Sequence, residues 1–305
     1  MTLPLQPNLL GLPLAPAQCV VDLFQEQTVK ELAISVIDNN CFDDVTILPH
    51  FVTEYRTWIQ SSVLNNVFGL DQFLIANFSA GTTESFDKFY LKHHSRRFRI
   101  FRGEYLYHRL SWQNQQHDWA YLDDEPLATN DAVIVSLPFA DTGNCHPDYH
   151  KNFLDQCADL GIPVLIDCAF FGVCAGVDFD FAHTAIKEIC FSHSKAFPVS
   201  TARIGIRFSR ADDQDSLAVY NQTQYINRFA AALGSKLMQN QSPDTVFTKY
   251  RAQQLSWCDE YCLDASNTVI FGLDTKQNYP QYNRGSLNSN RLCFSKYFNT
   301  GKLPL

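Results

Sequence analysis

Two short segments carry residue types that can do chemistry. Ile166-Asp167-Cys168-Ala169-Phe170 puts a carboxylate at the end of an apolar run. In open α/β sheets ligands sit outside the carboxyl ends of the strands, so such an Asp either faces a site or caps the next helix. The lysine of Phe191-Ser192-His193-Ser194-Lys195-Ala196-Phe197 follows 28 residues after Asp167, and Arg203 comes eight positions after the lysine. Upstream, Ser79-Ala80-Gly81-Thr82-Thr83-Glu84-Ser85 ends a strand and opens a helix. Backbone N–H groups and the helix dipole favour a phosphate there, although the turn taken alone reads equally as a plain helix cap.

A strand Asp, then Ser-x-Ser-Lys-x-Phe, then an arginine resembles the core of the fold type I enzymes dependent on pyridoxal 5'-phosphate (PLP), the aspartate-aminotransferase superfamily. PLP needs an amine for its aldehyde, an anion at its pyridine nitrogen, and donors for its phosphate. The resemblance implies that Lys195 is the Schiff-base lysine and proton shuttle, and that Asp167 keeps the ring nitrogen protonated. It assigns Ser192, Ser194 and Arg203, with Gly81, Thr82 and Thr83, to the cofactor's phosphate end. In Phe101-Arg102-Gly103-Glu104-Tyr105-Leu106-Tyr107-His108 the family places a ring that stacks on the pyridine, which implies Tyr105; an aromatic here is otherwise core. Asn290-Arg291-Leu292-Cys293-Phe294-Ser295 resembles the strand whose arginine binds the substrate's α-carboxylate, a task suited to a planar guanidinium. The alternative for Arg291 is a surface ion pair.

Two positions depart from the family pattern. Pro138-Phe139-Ala140-Asp141-Thr142-Gly143-Asn144 has Ala140 where the family places an asparagine that donates to the cofactor's phenolic oxygen, and Phe170 stands where a tyrosine often donates to the same atom. Asp141 or Asn144 is a candidate substitute. The expected activity is aminotransferase-like, acting on an amino acid and a keto acid. Lyase, racemase, decarboxylase or oxidase chemistry on the same cofactor is the alternative, as is a non-catalytic PLP-fold protein.

These residues need a sheet to position them. Apolar runs at 73–78, 98–101, 132–137, 163–166, 188–191 and 204–208 read as buried strands separated by helices, the pattern of a mostly parallel sheet covered on both faces. The expected fold is α/β, a three-layer α/β/α large domain with a small C-terminal α/β lobe. His150 to Leu160 reads as a crossover helix ending at Gly161-Ile162-Pro163. One long helix is expected from about Asp215 to Gln239, followed by strands at 268–274 and 290–294. The expected division is an N-terminal arm and helical segment at 1–65, a PLP-binding domain at 66–240 and a small domain at 241–305.

The composition excludes several classes. With 305 residues, 46% hydrophobic and 18% charged, the chain can bury a sizeable core. A net charge of −8 argues against nucleic acid as a partner. The basic run from Lys92 to Arg99 reads as a solvated helix end. Ten scattered cysteines without a CxxC pair indicate a reducing cytoplasm, and Met1 to Pro7 carries no signal-peptide pattern. No apolar run is long enough to span a membrane. His146 and His150, four apart, lack a third metal ligand, and Cys258 and Cys262 read as packed thiols. The resemblance covers 70–210 well and 265–300 loosely, and it implies a homodimer.

Overall fold

The computed structural model describes residues 9, 11–20, 22–146, 151–285 and 289–305. The chain begins with two helices, α1 (Leu23–Asp38) and α2 (Ile47–Gln60), and a short strand β1 (Asn66–Phe68). An alternating series follows: β2 (Ile75–Ser79), α3 (Thr82–Lys92), β3 (Arg97–Ile100), α4 (Leu106–Gln115), β4 (Trp119–Tyr121), β5 (Asp131–Ser136), α5 (Lys151–Asp159), β6 (Val164–Cys168), β7 (Asp178–Asp180), β8 (Ile186–Ser192) and β9 (Gly205–Ser209). Helices α6 (Ser216–Gln222), α7 (Arg228–Asn240) and α8 (Thr245–Glu260) lead to β10 (Asp264–Ala265), β11 (Phe271–Asp274) and β12 (Asn290–Cys293).

Seven strands form one sheet in the order β2-β9-β8-β6-β5-β3-β4, parallel except for β9. Strand β5 shows why these runs are apolar throughout. Val133 and Val135 face one core with Phe51 and Tyr55 of α2 and Leu237 of α7, while Ala132 and Ile134 face a second with Phe86 and Phe89 of α3 and Trp112 of α4. A strand buried on both faces cannot alternate apolar with polar residues. The result is a three-layer α/β/α unit with a mostly parallel sheet.

A third core lies between the antiparallel β10-β11-β12 sheet, α8 and the chain's first described residues. Leu14, Ala15 and Val20 pack there with Trp257, Phe271 and Phe294. The segment 1–65, expected as one flanking unit, is therefore divided. Its first described part joins the small lobe, with Cys293 N–H donating to the Leu14 carbonyl at 2.7 Å, whereas α2 packs on α7 over the large sheet.

Two further expectations are corrected. The long helix over 215–239 is two helices, because the backbone turns at Gln224 (φ 58°) and Asn227 caps a new start by accepting from Ala230 N–H at 3.0 Å. The basic run is not a solvated helix end throughout: Arg99 is fully buried on β3, 2.5 Å from Asp131, and Arg97 bonds the same carboxylate at 2.8 Å. The crossover helix is described from Lys151 onward; His150 lies outside the described residues.

Candidate active site

The site forms at the carboxyl ends of the parallel strands. Because β9 runs the other way, its first residue, Gly205, meets the last residues of both neighbours, Ser79 of β2 and Ser192 of β8. The turn that feeds β9 thus delivers Arg203 to the start of α3. Its Nη2 donates to the Ala80 carbonyl at 3.0 Å and to Thr83 Oγ1 at 2.9 Å. Gly81 precedes α3 at φ 78° and ψ 179°, and a Cβ there would stand 2.5 Å from Arg203 Nη2. Gly205 is as confined, since its Cβ would meet Gly81 Cα at 2.7 Å.

Among the described residues no side chain caps the start of α3, so its first N–H groups are open beside a guanidinium. Ser79 Oγ is buried there with no hydrogen-bond partner among the described residues. Buried hydroxyls are normally bonded, and an anion at this place would satisfy Ser79 together with the N–H groups of Thr82 and Thr83. Ser192 is buried at the end of β8, and Ser194 is half-buried in the turn that follows.

Asp167 sits near the end of β6, in register with Ser136 of β5 and Cys190 of β8. It is not only a turn former, although its Oδ1 accepts Ala169 N–H at 3.0 Å. Burial first, then the neighbouring Glu104 carboxylate, raise its pKa to about 7. Such a carboxyl gains from a cationic partner. Lys195, in the turn after β8, is pulled below the ordinary lysine range mainly by burial, with Arg291 acting the same way and Cys293, Cys19 and Asp167 opposing. A lysine so lowered offers more neutral amine at pH 7. Its Nζ donates to the Ala17 carbonyl, so the small-lobe segment from Leu14 to Cys19 crosses beside the amine.

The same segment reaches Arg291. This guanidinium is buried over the Phe271 ring, 4.3 Å from its centroid, and donates to the carbonyls of Ala140 and Ala15. It is not a surface ion pair. Burial and then Arg284 pull its pKa down, and Nε has no partner among the described residues. Tyr105 is 43% exposed, just ahead of α4, with its ring stacked on Tyr107 at 6.0 Å; it faces Asp167, Arg203 and Arg284. It is therefore not a core aromatic.

Ala140 and Phe170 have a common physical account. Both belong to the small-lobe core, and Phe170 meets the Phe271 ring edge-on at 5.2 Å. Their side chains pack the two lobes together. Of the two proposed substitutes, Asp141 lies 3.7 Å from Arg284, and the Asn144 side-chain oxygen accepts Asn267 N–H at 2.7 Å from the small lobe. His193, inside the lysine motif, points away into the core and stacks on Tyr55 at 4.6 Å. Cys258 is buried, whereas Cys262 lies exposed beyond the end of α8.

Sequence reasoning missed Ser79, Glu104 and Arg284. Ser79 and Glu104 stand inside segments already singled out, so position at a strand end was the available signal. Arg284 had none, because Asp141, its ion-pair partner, lies 143 residues away.

No protein-family model matches the sequence, and no curated protein matches it. Solved structures do match. An aspartate aminotransferase double mutant from Thermus thermophilus superposes with a TM-score of 0.67 at 14% identity, covering 94% of this chain and 88% of that one. The PLP-bound C-S lyase from Staphylococcus hominis gives 0.69 at 9% identity, covering 94% and 87%. The aromatic aminotransferase from Pyrococcus horikoshii gives 0.68 at 11%, covering 94% and 91%. The chain thus has the aminotransferase-like fold of the fold type I PLP-dependent enzymes, in the α/β architecture read from its sequence.

Proposed function

We propose that the chain binds PLP through Lys195 and acts on an amino acid as an aminotransferase-like enzyme. The observation that carries this is the convergence, at the carboxyl ends of the parallel strands, of three separate needs of that cofactor. Lys195 supplies a buried amine whose pKa is lowered by that burial, Asp167 a buried carboxyl, and Gly81, Thr82, Thr83, Ser192 and Arg203 a cradle around the orphaned Ser79 hydroxyl. The residues fit the group. Its presence in a neighbour of the same fold, the C-S lyase, supports the reading.

When bound, PLP supplies an electron-withdrawing ring that acidifies the substrate's α-proton. In this reading Arg291 grips the α-carboxylate and exchanges its bond to Ala140 or Ala15 for it. Lys195 takes and returns the proton at the α-carbon, which its lowered pKa favours. Asp167 holds the proton at the ring nitrogen. Tyr105 would lie against the ring, and Ser194 belongs to the turn that carries Lys195. A boundary near 240, a homodimer and a cytoplasmic setting belong to the same reading. The free thiols are compatible with a reducing compartment, and no described helix is long and apolar enough to cross a membrane.

The test is an absorbance titration of purified protein with PLP, then borohydride reduction and peptide mapping. Fixation of the label at Lys195, abolished in Lys195→Ala, is the expected result; labelling elsewhere, or none, removes the proposal. The apolar Ala140 and Phe170 favour a second reading, in which another PLP reaction, or binding without turnover, replaces transamination. Conversion to the pyridoxamine form by any of a panel of amino donors, reversed by keto acids, decides for transamination.

A further inference from the structure

Glu104 occupies the turn between β3 and α4, immediately before Tyr105, and is only 3% exposed. Ser136 N–H donates to its Oε1 at 2.8 Å and Ser136 Oγ–H to its Oε2 at 2.6 Å. The direction of the second bond is fixed by the rest of the turn, because Ser136 Oγ also accepts Ala140 N–H at 2.7 Å and so has its own hydrogen free for Glu104. Both carboxylate oxygens therefore receive a donor, an arrangement that favours the charged form. Ser136 is the β5 residue in register with Asp167, and Leu137 N–H donates to the Asp167 carbonyl at 2.8 Å. A held anion thus stands one strand away from a second buried carboxyl.

We propose that Glu104 is a positioning residue that acts through Asp167: its negative charge adds to that of the Asp167 carboxylate, so that a ring nitrogen seated on Asp167 keeps its proton. This rests on the reading that the chain binds PLP. It has a chemical rationale in this chain, where Ala140 and Phe170 offer no side-chain donor at the phenolic-oxygen end, leaving the nitrogen end to set the electron demand of the ring. The elevation of Asp167 with Glu104 as its leading charged cause agrees with the geometry. The other groups facing Asp167 are Lys195, Tyr90, Tyr105, Cys168 and Cys190. Lys195 is the one cation among them. Arg284 faces Glu104 from the small lobe and also pairs with Asp141.

The test begins on the full chain without PLP, labelled with 13C at Asp and Glu carboxyl carbons. The Asp167 resonance is identified by its loss in Asp167→Asn and followed against pH. The expected midpoint is near neutrality, falling by roughly one pH unit or more in Glu104→Gln and staying within a few tenths of wild type in the charge-retaining Glu104→Asp. A folded Glu104→Gln protein with an unmoved midpoint overturns the proposal. If that variant does not fold, wild type decides: coupled carboxyls each show an inflection at the other's midpoint, and two independent single-step curves overturn it. PLP labelled with 15N at the ring nitrogen then reads the second half. The bound nitrogen is expected to stay protonated to a pH at least one unit higher in wild type than in Glu104→Gln, and equal titration overturns that step. Failure of labelled PLP to bind removes the cofactor reading instead, a result the carboxyl titration keeps distinct.

Discussion

The guanidinium of Arg203 lies so close over Gly81 that a Cβ on that glycine would stand 2.5 Å from Nη2. Gly81 also has φ 78° with an extended ψ, a region that L-residues rarely adopt. Gly81→Ala must therefore either displace Arg203 from Thr83 and the Ala80 carbonyl or distort the turn. We expect a stability loss of about 1–3 kcal/mol by chemical denaturation and at least about tenfold weaker PLP binding. Gly161→Ala is the control. Gly161 has φ 65° but open space around its Cβ position, so it should lose only about 1 kcal/mol and leave PLP binding unchanged.

Asp167 predicts a trade between stability and function. Its folded pKa, about 7, is above the ordinary carboxylate value, so the folded chain holds the proton more tightly than the unfolded chain. That contribution is fully present below pH 4 and is lost as pH rises through 7. Asp167→Asn, which cannot ionise, should then stabilise the cofactor-free protein at pH 8 by on the order of 2–4 kcal/mol and change little at pH 4. The measurement is thermal unfolding at both pH values. Equal effects at the two would mean that Asp167 is not the titrating group.

The histidines work in the opposite sense. His108 and His193 are fully buried, and burial lowers both to about 3, below their unfolded value. Stability held above pH 6.5 is lost as pH falls toward 3. His193→Phe keeps the ring between Tyr55, Trp58 and Phe197 and removes the proton site. The slope of unfolding free energy between pH 6 and 4 should flatten by roughly 1.4 kcal/mol per pH unit. An unchanged slope would show that His193 is not protonated on unfolding.

The large sheet was legible because burial on both faces forces continuous apolar runs, and Lys195, Asp167 and Arg203 could be singled out as candidates because each lies beside a strand end. Strands β1, β4 and β7 were not, since three residues hold too little pattern to separate them from loops. The break between α6 and α7 turned on a side-chain cap at Asn227, a local competition that periodicity does not record. The departures at Ala140 and Phe170 were visible, but not their cause: both side chains lie in the small-lobe core, where Phe170 meets Phe271, 101 residues on. The placement of Leu14 to Cys19 across the lysine and Arg291 was equally hidden, because its bonds are to backbone carbonyls that any residue supplies.

Arg291 separates substrate recognition from packing. Its two terminal nitrogens serve the Ala140 and Ala15 carbonyls, and its plane covers Phe271. Arg291→Ala removes all three contacts and leaves a void, so a loss of about 2–4 kcal/mol of stability is expected whatever the function. Arg291→Lys is the informative change, because it keeps one charge and the stem but cannot hold a carboxylate with a planar fork. If Arg291 receives the α-carboxylate, KM for amino acids should rise by about 10- to 100-fold in the lysine variant, while an amine lacking the carboxylate is turned over within about twofold of wild type. A parallel loss with both substrates would assign Arg291 to lobe packing alone.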